Sequence, residues 1–380
     1  MASQQPIGCL SDFPILQIMT FMNHAGVAPI SPAAGAALRQ YAKQAESQAY
    51  VGSGWYAQVA KAKRLAAQMI GAQGEDEIAF VANTSTGLSM VAGGLAWTEG
   101  DAVVITDVEY PANRYPWENL KRLGVELIEV AHGADGRIDA VEVAGAVTSR
   151  TKVVALSHVQ YASGYRIDLK PIRDMVHRAG GFLCVDAIQS VGLMPVDVQA
   201  SGIDFLAADG HKWLLGPEGC GIFYCRHDLI EMLHPPIVGW MCMVDADNYG
   251  DYQFELETNA RRFEPGSYNI PGILALGASM QMLLDHGIEN VWSQVETLTL
   301  RLCNGLAKKG YRVCSPRREG ERSGIVVFEP SPSHAGSEKH IVSQLQKQNI
   351  IIVVREGRLR VSPHFYNTMQ QIDQLLKALP

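Results

Sequence analysis

The chain has 380 residues, 47% hydrophobic and 19% charged, an ordinary globular composition with enough length for two domains. A formal charge of −7 argues against a nucleic-acid partner, which needs a basic face, and no apolar run approaches a membrane span. Seven cysteines stand singly without a Cys-x-x-Cys pair, and the opening Met-Ala-Ser-Gln-Gln-Pro lacks a signal-peptide pattern, which points to a reduced, cytoplasmic protein without a metal site.

The first thirty residues read as irregular. Their turn Asn23-His24-Ala25-Gly26 reads equally as a pocket wall or a plain loop. Ser31-Pro32 then predicts a capped helix to about Tyr50, and a second follows from about Ser53 to Ile70. From Ile78 strand and helix patterns alternate. Strands are expected at 78–81, 102–106, 125–130, 152–157, 181–186, 205–208 and 221–225. Helices are expected between them at 85–96, 112–123, 140–147 and 169–179, with another at 227–233. Such alternation predicts an α/β fold with a large, mostly parallel, seven-stranded sheet covered on both faces. Residues 238–262 read as an irregular excursion that covers a pocket or a subunit interface. One long helix is expected over 272–309. Short strands at 312–314, 324–328, 350–354 and 358–362 follow, with helices at 337–348 and 369–378. This predicts two domains: 1–271, an N-terminal segment with the large domain, and 272–380, a smaller C-terminal α+β domain.

Two strand ends carry the chemistry. Phe182-Leu-Cys-Val-Asp186 ends in an acid followed by Ala187-Ile188-Gln189, and Asp204-Phe-Leu-Ala-Ala-Asp209 runs into Gly210-His211-Lys212. Ligands of parallel sheets bind at the carboxyl ends of the strands, where both charges fall. An unpaired charge flanking a buried strand is costly unless it is used. A lysine amine that forms a Schiff base and a carboxylate that keeps a pyridine nitrogen protonated are what pyridoxal 5'-phosphate (PLP) requires. The plainer alternatives are a turn cap for Asp186 and a snorkelling side chain for Lys212.

Other strand ends add polar groups. Asn83-Thr84-Ser85-Thr86-Gly87 reads alone as an ordinary helix cap and, beside such a lysine and acid, as a phosphate seat. Tyr110, in Glu109-Tyr110-Pro111, reads as a ring-stacking group or as a surface turn. His158, after Ser157, reads as structural. Arg358-Leu359-Arg360 offers arginine on a strand, suited to a substrate carboxylate and otherwise a surface ion pair.

On these residues the chain resembles the class V aminotransferase family of fold-type I PLP-dependent transferases. That family includes cysteine desulfurases, selenocysteine lyases, isopenicillin N epimerase-like proteins and kynureninase. The likeness runs in family order from Asn23-His24-Ala25-Gly26 to Tyr366-Asn367-Thr368. Its specific part is Asp186-Ala187-Ile188-Gln189 with Gly210-His211-Lys212. The resemblance implies Lys212 as the Schiff-base lysine and proton carrier, Asp186 on the pyridine nitrogen and Gln189 on the phenolic oxygen. It places Tyr110 on the ring and Ser85, with Thr84 or Thr86, and His211 on the phosphate. Ser267 would reach the partner subunit's phosphate, implying a homodimer with shared active sites. Arg360 would hold the substrate carboxylate, with Asn23 and Tyr161 nearby.

Three departures stand out. Asp209 replaces the hydroxyl residue of many desulfurases, and Tyr161 replaces their asparagine. The segment before Arg360, from Asn349, holds no persulfide cysteine. The expectation is therefore a PLP-dependent enzyme acting at the α-carbon of a small amino acid, first as an aminotransferase. The alternative is a cysteine, cystine or selenocysteine C–S or C–Se lyase, or an epimerase. A non-catalytic PLP-binding sensor has little support, because no DNA-binding module is attached. A nucleotide-binding dehydrogenase has less, because no Gly-x-Gly-x-x-Gly follows an early strand.

Overall fold

A computed structural model describes residues 13–330, 334 and 336–380; the opening hexapeptide and Cys9 lie outside these. A short strand β1 (Thr20–Phe21) precedes helices α1 (Pro32–Gln48) and α2 (Trp55–Ile70). Ser31 caps α1 by accepting from the Ala34 amide at 3.0 Å, with Pro32 at the first helical position.

All seven strands expected of the large sheet are present. They are β2 (Ile78–Val81), β3 (Ala102–Thr106), β4 (Glu126–Val130), β5 (Thr151–Ser157), β6 (Phe182–Asp186), β7 (Phe205–Asp209) and β8 (Gly221–Cys225). The order is β2-β8-β7-β6-β5-β3-β4, parallel from β4 to β7, with β8 antiparallel to both its neighbours. Helices α3 (Thr84–Gly94), α4 (Tyr115–Glu118), α5 (Ala140–Gly145), α6 (Lys170–Arg178) and α7 (Val198–Ser201) make the crossovers. Alternation along each strand feeds two cores. Leu183, Val185, Leu206 and Ala208 face one, and Cys184, Phe205 and Ala207 the other.

Three expected helices differ. The pattern over 112–123 resolves into α4 flanked by 3-10 turns at Pro111–Asn113 and Asn119–Leu123, because two prolines in six residues remove the amides a continuous helix needs. Only a 3-10 turn, His227–Leu229, forms over 227–233, since Pro235 and Pro236 pull the preceding chain towards extended backbone. The long helix of 272–309 is two, α8 (Ile270–His286) and α9 (Ile288–Lys308). They break at Gly287, whose φ of 87° no helix contains.

Beyond α9, β9 (Arg312–Val313), β10 (Val326–Glu329), α10 (Glu338–Gln346), β11 (Ile350–Ile351), β12 (Val353–Arg355), β13 (Arg358–Val361) and α11 (Met369–Ala378) complete the chain. Four of these strands form an antiparallel sheet in the order β12-β13-β10-β9. The remaining strand, β11, pairs in parallel with β1, and Asn23 bridges to Ser362. Met22 accordingly sits in the apolar core built by α9, β10, β13 and α11. The chain start thus packs with its end. Among the described residues no helix is long and apolar enough to cross a membrane.

That junction holds two fully buried histidines. His24 bonds through Nδ1 to the Ser362 carbonyl at 2.8 Å and through Nε2 to the Tyr366 hydroxyl. His364 bonds through Nε2 to the Trp213 carbonyl at 3.0 Å, while its Nδ1 accepts from the Phe365 amide at 2.8 Å. Burial, then the neighbouring His364, holds His24 well below the ordinary 6.5. Burial lowers His364 to about 4. Both are neutral in the fold. As pH drops through 6.5 the unfolded chain takes up protons that the folded chain does not, so stability is full above 6.5 and is lost towards 4. His364 alone would remove about 3 kcal/mol by pH 4. Calorimetry of the cofactor-free protein should show Tm falling more steeply from pH 6.5 to 4.5 than in His364→Gln. Parallel curves would refute this source of acid sensitivity.

Candidate active site

Parallel pairing brings the ends of β5, β6 and β7 to one edge, with Ser157, Asp186 and Ala207 in register across the three strands. Lys212 lies in the turn that leaves β7 and returns as β8. Gly210 makes this turn possible: a Cβ there would sit 2.7 Å from the Cys220 carbonyl oxygen and 2.8 Å from Leu276. The Ala28 amide holds the His211 carbonyl at 2.8 Å, and the Ser31 amide holds that of Leu215 at 2.8 Å. Helix α3 approaches closely because Gly87 presents no side chain, where a Cβ would meet that of Ala207 at 2.7 Å.

A cavity of about 440 Å³ opens at this edge. Lys212, Asp186, Gln189 and Tyr110 line it, with Thr84 and Ser85 from the start of α3, His211, and the group formed by Asn23, Tyr161 and Arg360. Ten of the twelve residues singled out in the sequence therefore meet in one place. The other two, Thr86 and Ser267, line a separate cavity of about 390 Å³. Thr86 is engaged in the helix cap, its amide and hydroxyl both donating to Asn83 Oδ1. Ser267 is exposed. His158 also lies elsewhere, its backbone amide donating to the Asp186 carbonyl and its ring lowered to about 4 by burial and then Arg166.

Among the described residues, Asp186, Lys212 and Arg360 form no ion pair. Asp186 is 2% exposed and accepts a single hydrogen bond, from the Ile188 amide at 3.0 Å. Burial raises its carboxyl to about 6, against the opposing pulls of that amide and Lys212. Burial likewise lowers Lys212 to about 8. Its Nζ stands 5.6 Å from the centroid of the Tyr110 ring. Arg360 is 1% exposed, with Nη1 on the Tyr161 carbonyl at 2.9 Å, Nη2 on Asn23 Oδ1 at 3.2 Å, and Nε without a partner. Burial, then Arg355, lowers it to about 10. A buried acid without a cation and a buried cation without an acid are each expensive, unless ligands complete them.

Sequence reading missed three features. Arg355 lines the cavity beside Arg360, brought there by the β12–β13 hairpin whose register pairs Val353 with Arg360. Its turn, Glu356-Gly357, was the available signal. The Tyr161 hydroxyl donates to Glu356 at this hairpin tip, and the Tyr161 phenol is raised to about 12 by burial and then by Glu356. Glu109 is a buried acceptor for Thr106, Asn113, the Ser157 amide and hydroxyl, and Gln160, and so fixes the Tyr110 turn to the end of β5. The anomalous Asp209 also lines the cavity. Its Oδ2 lies 3.0 Å from His211 Nδ1, off the hydrogen-bond axis, and its Oδ1 is unpartnered.

These vacant valences fit PLP: an acid for a protonated ring nitrogen, an amine for an aldehyde, a helix N-terminus with hydroxyls for a phosphate. The sheet, its crossovers and this lysine–carboxylate pair define a fold-type I PLP-dependent enzyme. The Aminotransferase class-V profile matches residues 23–375, and the chain belongs to that family. A probable cysteine desulfurase of Methanothermobacter thermautotrophicus is 31% identical, with 97% of this chain and 96% of the relative covered. An uncharacterized aminotransferase of Bacillus subtilis is 28% identical, with 95% and 93% covered. The apo structure of a cysteine desulfurase from Thermococcus onnurineus superposes with a TM-score of 0.88 at 25% identity, covering 99% of this chain and 98% of that one.

The Asp186 carboxyl, raised to about 6 from 3.8, weakens the cofactor-free fold at neutral pH. The penalty is full above 6 and fades as pH falls towards 3.8. Asp186→Asn should therefore stabilise the apoprotein by about 3 kcal/mol at pH 8, with the gain vanishing near pH 4, while weakening PLP binding. Denaturant titrations at the two pH values check this. An apoprotein no more stable at pH 8 would contradict it.

Proposed function

We propose that this enzyme is a carbon–sulfur lyase that acts on a small sulfur-containing amino acid and releases the sulfur into solution. The observation that carries the reading is the meeting of Lys212, Asp186 and the acid-free guanidinium of Arg360 in one cavity. PLP, when bound, supplies the sink for the electron pair left at the α-carbon. Asp186 keeps the ring nitrogen protonated, and Gln189 donates to the phenolic oxygen. Tyr110 covers the ring, while Ser85, Thr84 and His211 hold the phosphate. Arg360, steadied by Asn23 and the Tyr161 carbonyl, binds the substrate carboxylate. Lys212, brought by burial to about 8, is a base near neutral pH: it removes the α-proton and delivers a proton to the departing sulfur.

The kinship to desulfurases supports the bond that breaks. None of the six described cysteines lines the cavity; their thiols are free, and four are buried. Burial raises those of Cys184, Cys220 and Cys225. Among the described residues, sulfur therefore has no cavity thiolate to receive it. The same absence favours a second reading, transamination, which shares each step through α-proton removal and agrees with the Bacillus subtilis relative. The exposed Ser267, outside its own Lys212 cavity, supports a homodimer in which it reaches the partner's phosphate. The free thiols support a cytoplasmic location.

Incubating holoenzyme with L-cysteine, L-cystine or other amino acids and identifying products decides the reaction. Pyruvate and ammonia with released sulfur support the lyase. A keto acid that retains its β-substituent, with the amine left on the cofactor, overturns it for transamination. Arg360→Ala should weaken amino-acid binding by about 2–5 kcal/mol while leaving cofactor affinity within a few-fold. Titrations that find equal amino-acid affinity in the variant would remove Arg360 from the site.

A further inference from the structure

Trp213, next in chain to Lys212, is fully buried. Its Nε1–H donates to Gln189 Oε1 at 2.8 Å, and Gln189 Nε2 donates to the Ala25 carbonyl at 3.1 Å. An indole nitrogen only donates and a carbonyl only accepts, so both anchors demand the same orientation of the glutamine amide. A flipped amide would set N–H against N–H and oxygen against oxygen. One Nε2–H is left over, on a side chain that lines the cavity.

Trp213 is itself held at both its backbone carbonyl and its ring. The Nδ1 of His364 accepts from the Phe365 amide, which fixes the ring as the Nε2–H tautomer, and that proton goes to the Trp213 carbonyl. A Cβ at Gly192 would sit 2.6 Å from the Trp213 carbonyl oxygen, and one at Gly324 would sit 2.5 Å from the indole ring. Phenylalanine at 213 would keep a ring in this packing while losing the donor and the outer part of the indole that rests against Gly324.

We infer that Trp213 is a positioning residue: it locks Gln189 as a donor towards the phenolic oxygen of the cofactor, and so sets the acidity of the linkage between Lys212 and PLP. The inference rests on the PLP assignment above. A donor on the phenolic oxygen draws off negative charge that otherwise retains the proton on the linkage nitrogen. With the donor in place, that proton leaves at lower pH.

The test is the pH titration of the visible absorbance band of the holoenzyme. Trp213→Phe should move the midpoint upwards by about half to one pH unit, the worth of one hydrogen bond. Gln189→Ala should move it at least as far, and the double variant should titrate like Gln189→Ala alone. A wild-type midpoint in Trp213→Phe, or shifts that simply add in the double variant, would overturn the role. Should Trp213→Phe not fold, His364→Gln loosens the Trp213 carbonyl and carries the same test. Its smaller upward shift must vanish in the Gln189→Ala background, and an unchanged midpoint overturns the role. A wild-type protein with no visible band after PLP addition would be a different failure, that of the cofactor assignment itself.

Discussion

A carboxylate buried at the end of a central strand, with no ion pair to any described residue, sets the terms for the rest of the molecule. Asp186 occupies that position because parallel pairing of β5, β6 and β7 leaves their ends on one edge, where it closes the middle strand of the three at 2% exposure. Its single amide donor leaves the charge undercompensated. The fold tolerates this only because two apolar cores, one on each sheet face, hold the strands regardless. Lys212 is near enough to feel the acid yet forms no ion pair with any described residue. Had the two met, each would have satisfied the other and left nothing for a ligand to complete.

Glu109 shows the opposite treatment of the same chemical group. It lies at the same sheet edge and is also buried, yet donors surround both its oxygens. Satisfied in this way, it serves as a strut that joins the turn carrying Tyr110 to the end of β5. Two buried carboxylates at one edge thus divide into structure and chemistry according to how many hydrogen bonds each receives.

Most of the large sheet was legible in the sequence, since buried parallel strands are short apolar runs and their boundaries fall within a residue or so of those expected. The cavity was legible for a related reason: strand ends are where charged residues interrupt such runs, so Asp186 and Lys212 announced themselves. Helix ends were less so. The break at Gly287 lies inside a continuous amphipathic pattern, and only its backbone angle reveals it. The pairing of β1 with β11 could not be read, because two residues of strand carry no period and their partners lie some 330 positions away. Arg355 was missed for want of the hairpin register, and Trp213 because an indole beside a lysine reads as plain core.

Asn23, His24 and Ala25 are consecutive, and they grip Arg360, Tyr366 and Gln189 in turn. Three residues therefore span the distance from Arg360 to Gln189, both of which line the cavity. Arg360 on β13 and Gln189 just beyond β6 are thus joined through one short stretch of backbone, with a hydrogen bond at either end.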